Sequence, residues 1–148
     1  MLAYNGYSRF DMLLSKAAAI AALGVAMFPC GCEDHEELIP YVHYLSAVVM
    51  FLILAYFSYE FYQRAKDKGH LRAKARAWIY LFCCIAIGLA IAILGVDGLS
   101  GGLLSHRFTR LTFYGETTGL VAFGISWLVA SHVLPGITRP EERVSLLS

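Results

Sequence analysis

The sequence predicts an all-α fold, an integral membrane bundle of four transmembrane helices forming one domain, 1–148. Three observations predict it. Hydrophobic residues make up 58% of the chain and charged residues 16%, against roughly 45–50% and about 25% in soluble domains. The apolar residues fall into runs close to the roughly 20 residues that about 30 Å of hydrocarbon requires. The runs are continuous rather than alternating. Backbone polar groups in lipid must be paired within the protein, so continuous runs select helices over a closed barrel. This composition weighs against a soluble enzyme, a disordered tail and a nucleic-acid binder, since nothing in a net charge of +1 invites nucleic acid.

The first span is expected over 11–28 (DMLLSKAAAIAALGVAMF), where Lys16 must snorkel to the interface because the clean apolar run begins only at Ala17. A cleaved signal peptide is the competing reading of this segment. The polar, aromatic stretch before it and the lack of a small-x-small pattern at Met27-Phe28-Pro29 oppose that reading. The second span, 41–62, keeps His43, Ser46, Ser58 and Glu60 near its ends. The third, 77–96, carries no charge. The fourth, 111–134, has Glu116 near its start and His132 near its end, and the tail after Pro135 turns polar.

Orientation follows from the loops. Arg64, Lys66, Lys68, Arg72, Lys74 and Arg76 lie between the second and third spans with only Asp67 opposing them. Glu33, Asp34, Glu36 and Glu37 lie between the first and second with no cation. The positive-inside rule places the basic loop, and with it both termini, in the cytoplasm. Arg107 and Arg110 in the third loop oppose this mildly. Gly98, Gly101 and Gly102 give that loop its freedom. Tyrosines and Trp78 gather near the span ends, as an aromatic belt requires.

Ionisable groups inside a bilayer are costly, so each invites a functional reading. His43 and Glu116 stand about one turn inside the outer ends of their spans. His43 shares a helix face with Ser46, and Glu116 shares one with Phe123 and Trp127. If the faces meet, His43 and Glu116 pair. The pair would serve either as a proton-handling or ligand-orienting dyad, with Ser46 beside it, or as a clasp fixing helix register. Cys30, Cys32 and His35 form a second cluster, a weak candidate for metal because Cys-x-Cys is not the usual zinc spacing and a second ligand pair is missing. Cys83 and Cys84 read as small apolar residues. His70, His106 and His132 read as solvated or interfacial. Gly115, Gly119, Ala122 and Ser126, with Trp127 beside them, form a small-residue stripe that suits close helix packing. No cofactor is expected, and no G-x-S-x-G, H-E-x-x-H, P-loop or dinucleotide fingerprint is present.

Three stretches, ALGVAMFPCGC, VHYLSAVVMFLILAYFSYEFY and ETTGLVAFGISWLVASHVL, together resemble a group of small bacterial multi-pass membrane proteins similar to the DUF998 class. A fainter similarity reaches the Frag1/DRAM/Sfk1 membrane family. The resemblance implies a bacterial inner-membrane location and His43, Ser46, Glu116 and Trp127 as pattern residues. It also implies six helices, of which this chain begins at the third. It implies no established activity. The function expected is therefore that of a small multi-pass membrane protein in a structural, interaction or lipid-associated role, more in keeping with a non-enzyme. The partners expected are membrane lipids and a membrane-protein partner or second copy, with no nucleic acid. An intramembrane hydrolase or transferase using His43 and Glu116, and a small transporter or proton-coupled carrier, are the competing readings.

Overall fold

The computed structural model describes residues 8–28, 38–134 and 136–138. Among them lie four helices and no strand: α1 (Arg9–Met27), α2 (Leu38–Asp67), α3 (Leu71–Leu99) and α4 (Leu111–Ala130). The chain divides into two compact units, Met1–Leu54 and Ala55–Ser148, with α2 running through the division.

In the first unit, Ser8 caps α1, its hydroxyl accepting from the Asp11 amide at 3.1 Å. This satisfies one of the donors that every helix start leaves open. The buried stripe of α1 is small and partly polar: Asp11, Ser15, Ala18 and Ala21 recur at helical spacing. Ser15 turns its hydroxyl back onto the Met12 carbonyl at 2.9 Å. Lys16 is exposed. Small residues on one face let backbones come close, and at Gly24 an added Cβ would fall 2.9 Å from Cβ of Ser46.

In the second unit, α2 and α3 are joined by a turn of three residues, 68–70. Gly69 takes φ +70°, a conformation that costs a Cβ-bearing residue energy. His70 then caps α3, its Nδ1 accepting from the Ala73 amide at 3.1 Å. Helices of 30 and 29 residues measure about 45 Å at 1.5 Å per residue, well over the roughly 30 Å of a hydrocarbon core. The expected spans 41–62 and 77–96 thus continue as helix past their apolar stretches. Five of the six cations of the expected basic loop, all except Lys68, stand on ordered helix ends. Phe61 of α2 meets Tyr80 of α3 and Trp127 of α4 with ring centroids 5.6 and 6.0 Å apart, and the Cys84 thiol donates to the Ala55 carbonyl at 3.6 Å.

α3 and α4 are in contact, and each carries a buried stripe. On α3 the buried positions are Ala73, Arg76, Ala77, Tyr80, Cys83, Ile87, Ala90 and Asp97, apolar in the middle and polar at both ends. On α4 they are Gly119, Ala122, Ser126 and Val129. Gly115 sits where an added Cβ would meet Leu94 Cδ1 at 2.8 Å and Cγ at 2.9 Å.

Three helices, α1, α2 from Tyr41, and α3, are long and apolar enough to cross a membrane. α4 is not among them, although a fourth span was expected over 111–134. Its second turn spends Gly115, Glu116, Thr117 and Thr118 on polar or small residues. It also stops at Ala130, because His132 adopts a left-handed φ of 59° that ends the helix.

Candidate functional site

The residues singled out by sequence fall at several places, and each place has its own chemistry. His43 is 5% exposed on the second turn of α2. Its Nδ1 lies 2.7 Å from the Phe28 carbonyl and 3.2 Å from the Val25 carbonyl, at the end of α1. Two carbonyl acceptors require the proton on Nδ1, so this nitrogen donates. The last four carbonyls of a helix lack intrahelical partners. The Phe28 amide returns to the Gly24 carbonyl at 3.1 Å, and His43 serves the Val25 and Phe28 carbonyls. The imidazole is therefore a C-cap delivered by another helix. Tyr44 stands edge-on to it at 5.7 Å.

Ser46, one turn further along α2, is half-buried and faces Gly24. Glu116 belongs to the second unit, half-buried on the second turn of α4 beside Gly115. In the expected packing stripe, Gly119, Ala122 and Ser126 are buried. Trp127 is half-buried between Phe61 and Phe123, its ring centroid 5.8 Å from that of Phe123. The Ser126 hydroxyl is fully buried and has no hydrogen-bond partner among the described residues. Cys30, Cys32 and His35 lie outside the described residues. Among the described residues no three His, Cys, Asp or Glu side chains gather as a metal ion would need.

Asp97, at the far end of α3, closes the loop before α4. Its Oδ1 accepts from the amides of Leu104 and Ser105 at 2.8 and 3.0 Å, and its Oδ2 accepts from the Ser105 hydroxyl. Three converging donors suit an ionised carboxylate. Gly101 and Gly102 adopt φ of 72° and 81° to bring those donors round. The glycines expected to free this loop thus shape a turn that Asp97 holds.

The polar group that sequence reasoning missed is at the opposite end of α3. Arg76 is 1% exposed, and its Nη1 lies 2.9 Å from Nδ1 of His132. A guanidinium only donates, so the His132 Nδ1 accepts with its lone pair. Arg72 donates to the Thr138 carbonyl at 3.0 Å. The two arginines tie the chain after α4 to the start of α3. His132, expected to be solvated or interfacial, is instead half-buried against Arg76. His70, likewise expected there, caps a helix. The missed signal was helical spacing: Arg76 falls on the same α3 face as Ala73, Ala77 and Tyr80.

Compared with family models, curated proteins and solved structures, the chain matches none.

Proposed function

We propose that this is a small multi-pass membrane protein with a structural, interaction or lipid-associated role rather than an enzymatic one. The reading includes α4 as a fourth span, both termini in the cytoplasm and a bacterial inner membrane as the setting. Its support comes from the apolar helices, the basic α2–α3 turn and the resemblance to small bacterial multi-pass proteins. The observation that carries it is the position of His43. The residue best suited to acid–base or metal chemistry spends its donor on the carbonyls that end α1.

A clasp and a catalytic group respond differently to substitution. His43→Leu leaves two partly buried carbonyls without their donor, at up to roughly 1–3 kcal/mol per unsatisfied group. With partial relaxation, a loss of about 2 kcal/mol in detergent is expected. His43→Asn places an amide N–H near the position of Nδ1 and should restore most of it, although an amide performs no acid–base chemistry. Thermal unfolding of the three proteins checks this. Equal stability of wild type and His43→Leu would remove the clasp and return His43 to the hydrolase or transferase reading.

Topology has its own measurement. With the four native cysteines replaced by alanine, a cysteine substituted for Lys68 should resist a membrane-impermeant thiol reagent in intact cells and react after lysis. Labelling of intact cells would reverse the orientation.

A further inference from the structure

We propose that the cleft between the C-terminal end of α2 and the N-terminal end of α3 binds the phosphate of an anionic membrane phospholipid. The proposal rests on the membrane reading above and deepens it by naming a site and a ligand class. The cleft has a volume of about 170 Å³ and is lined by Tyr62 and Lys66 of α2 and by Lys74, Ala77, Trp78 and Leu81 of α3.

Helical spacing gives it a gradient. Tyr62 and Lys66 are four residues apart, and Lys74, Ala77, Trp78 and Leu81 follow a single face. Both lysines lie toward the connecting turn, whereas Trp78 and Leu81 lie toward the apolar stretch of α3. A phospholipid has the same order along its length: an anion, a glycerol region, then a chain. Trp78 is 61% exposed, which suits an aromatic ring at headgroup depth.

The charges favour an anion. Among the described residues neither Lys66 nor Lys74 is paired with a carboxylate. Arg64 is so paired, with Glu60 at 3.1 Å. Lys66 lies 5.8 Å over the Tyr62 ring, a cation–π contact that holds its ammonium against the cleft wall. Lys74 stands in the first turns of α3, where the helix dipole adds positive potential. Lysine binds phosphate as a point charge, and basic pockets at the cytoplasmic ends of membrane helices suit lipid headgroups. Volume limits the occupant: drug-sized ligands occupy roughly 300–1,000 Å³, so this cleft takes a headgroup and leaves the chains in the bilayer. A second copy docked by two-fold symmetry would set four lysines against each other.

The test uses full-length protein in uncharged detergent micelles, titrated with phosphatidylglycerol or phosphatidylcholine carrying brominated chains, with tryptophan fluorescence as readout. Brominated phosphatidylglycerol should half-saturate quenching at a lipid fraction about five-fold or more below that for phosphatidylcholine, since one lysine near a membrane surface contributes about that factor. The double variant Lys66→Gln with Lys74→Gln should lose the preference. The double variant Arg64→Gln with Lys68→Gln, which removes equal charge outside the cleft, should keep it. Trp78→Phe should remove most of the quenching. Equal losses in the two double variants would overturn the site in favour of diffuse attraction to a basic turn. Displacement of the lipid by millimolar inorganic phosphate would overturn it in favour of a free anion, and binding that appears only as the protein dimerises would overturn it in favour of a second copy. Protein that purifies as a soluble monomer without detergent would overturn the membrane reading instead, which separates the two failures.

Discussion

Replacing Arg76 with alanine is expected to cost about 3 kcal/mol, the upper end for a hydrogen bond made by a charged group. The guanidinium is 1% exposed and donates to His132. Its stem also packs on the face of α3 shared by Ala73, Ala77 and Tyr80, so truncation loses packing along with the hydrogen bond. His132 pays a second cost, because it keeps a left-handed φ of 59°, which for a Cβ-bearing residue requires outside support. Arg76→Lys should recover little: a lysine keeps the charge but lacks the planar fork that reaches a fixed acceptor. His132→Gly relieves the backbone but takes an acceptor from a buried guanidinium, so it should cost about as much as Arg76→Ala. Thermal melts of the four proteins in one detergent rank these effects. If Arg76→Ala melts with wild type, the buried contact contributes nothing and the segment after α4 is held by other means.

Much of this architecture was legible in the sequence, and the misses share a cause. The four helices fall where the apolar runs predict: 9–27 for 11–28, 38–67 for 41–62, 71–99 for 77–96 and 111–130 for 111–134. Apolarity marks the stretch that lipid would cover, but helix continues wherever backbone bonding is unbroken, so α2 and α3 outrun their apolar stretches into Lys66 and Lys74. At α4 the error has the opposite sign, because the left-handed turn at His132 has no apolar signature.

The polar groups were harder still. His43 was visible as a costly residue, yet its Nδ1 meets backbone carbonyls at the end of α1, and periodicity places side chains on faces without revealing what lies opposite. Asp97 was legible as the end of a span and not as the cap of the loop, since its donors lie seven and eight residues on. The Gly115–Glu116 turn and the small-residue stripe were visible as a pattern. Leu94 as the neighbour at Gly115 was not, because pairing across helices depends on axial register.

Gly115→Leu should cost about 3 kcal/mol or more, the upper end for forcing volume into a packed contact. At this glycine even a single methyl group meets Leu94 Cδ1 at 2.8 Å and Cγ at 2.9 Å. Both atoms belong to one side chain, so the clash can be relieved only by turning Leu94 or parting α3 from α4. Gly115→Ala isolates the packing effect. At an open helix position alanine gains roughly 0.8–1 kcal/mol over glycine, so a net loss here, against that gain, is diagnostic of the contact. The neighbour supplies the decisive control. Leu94→Ala alone loses side-chain contacts and should also destabilise, but it empties the volume that the new methyl group needs. The double variant Gly115→Ala with Leu94→Ala should therefore be more stable than the sum of the single changes allows, by about 0.5–3 kcal/mol of coupling. Gly124, where an added Cβ meets nothing within 4 Å, gives the reference: Gly124→Ala should stabilise. If Gly115→Ala behaves like Gly124→Ala, helices α3 and α4 do not approach at this level, and the small-residue stripe of α4 must face something other than α3.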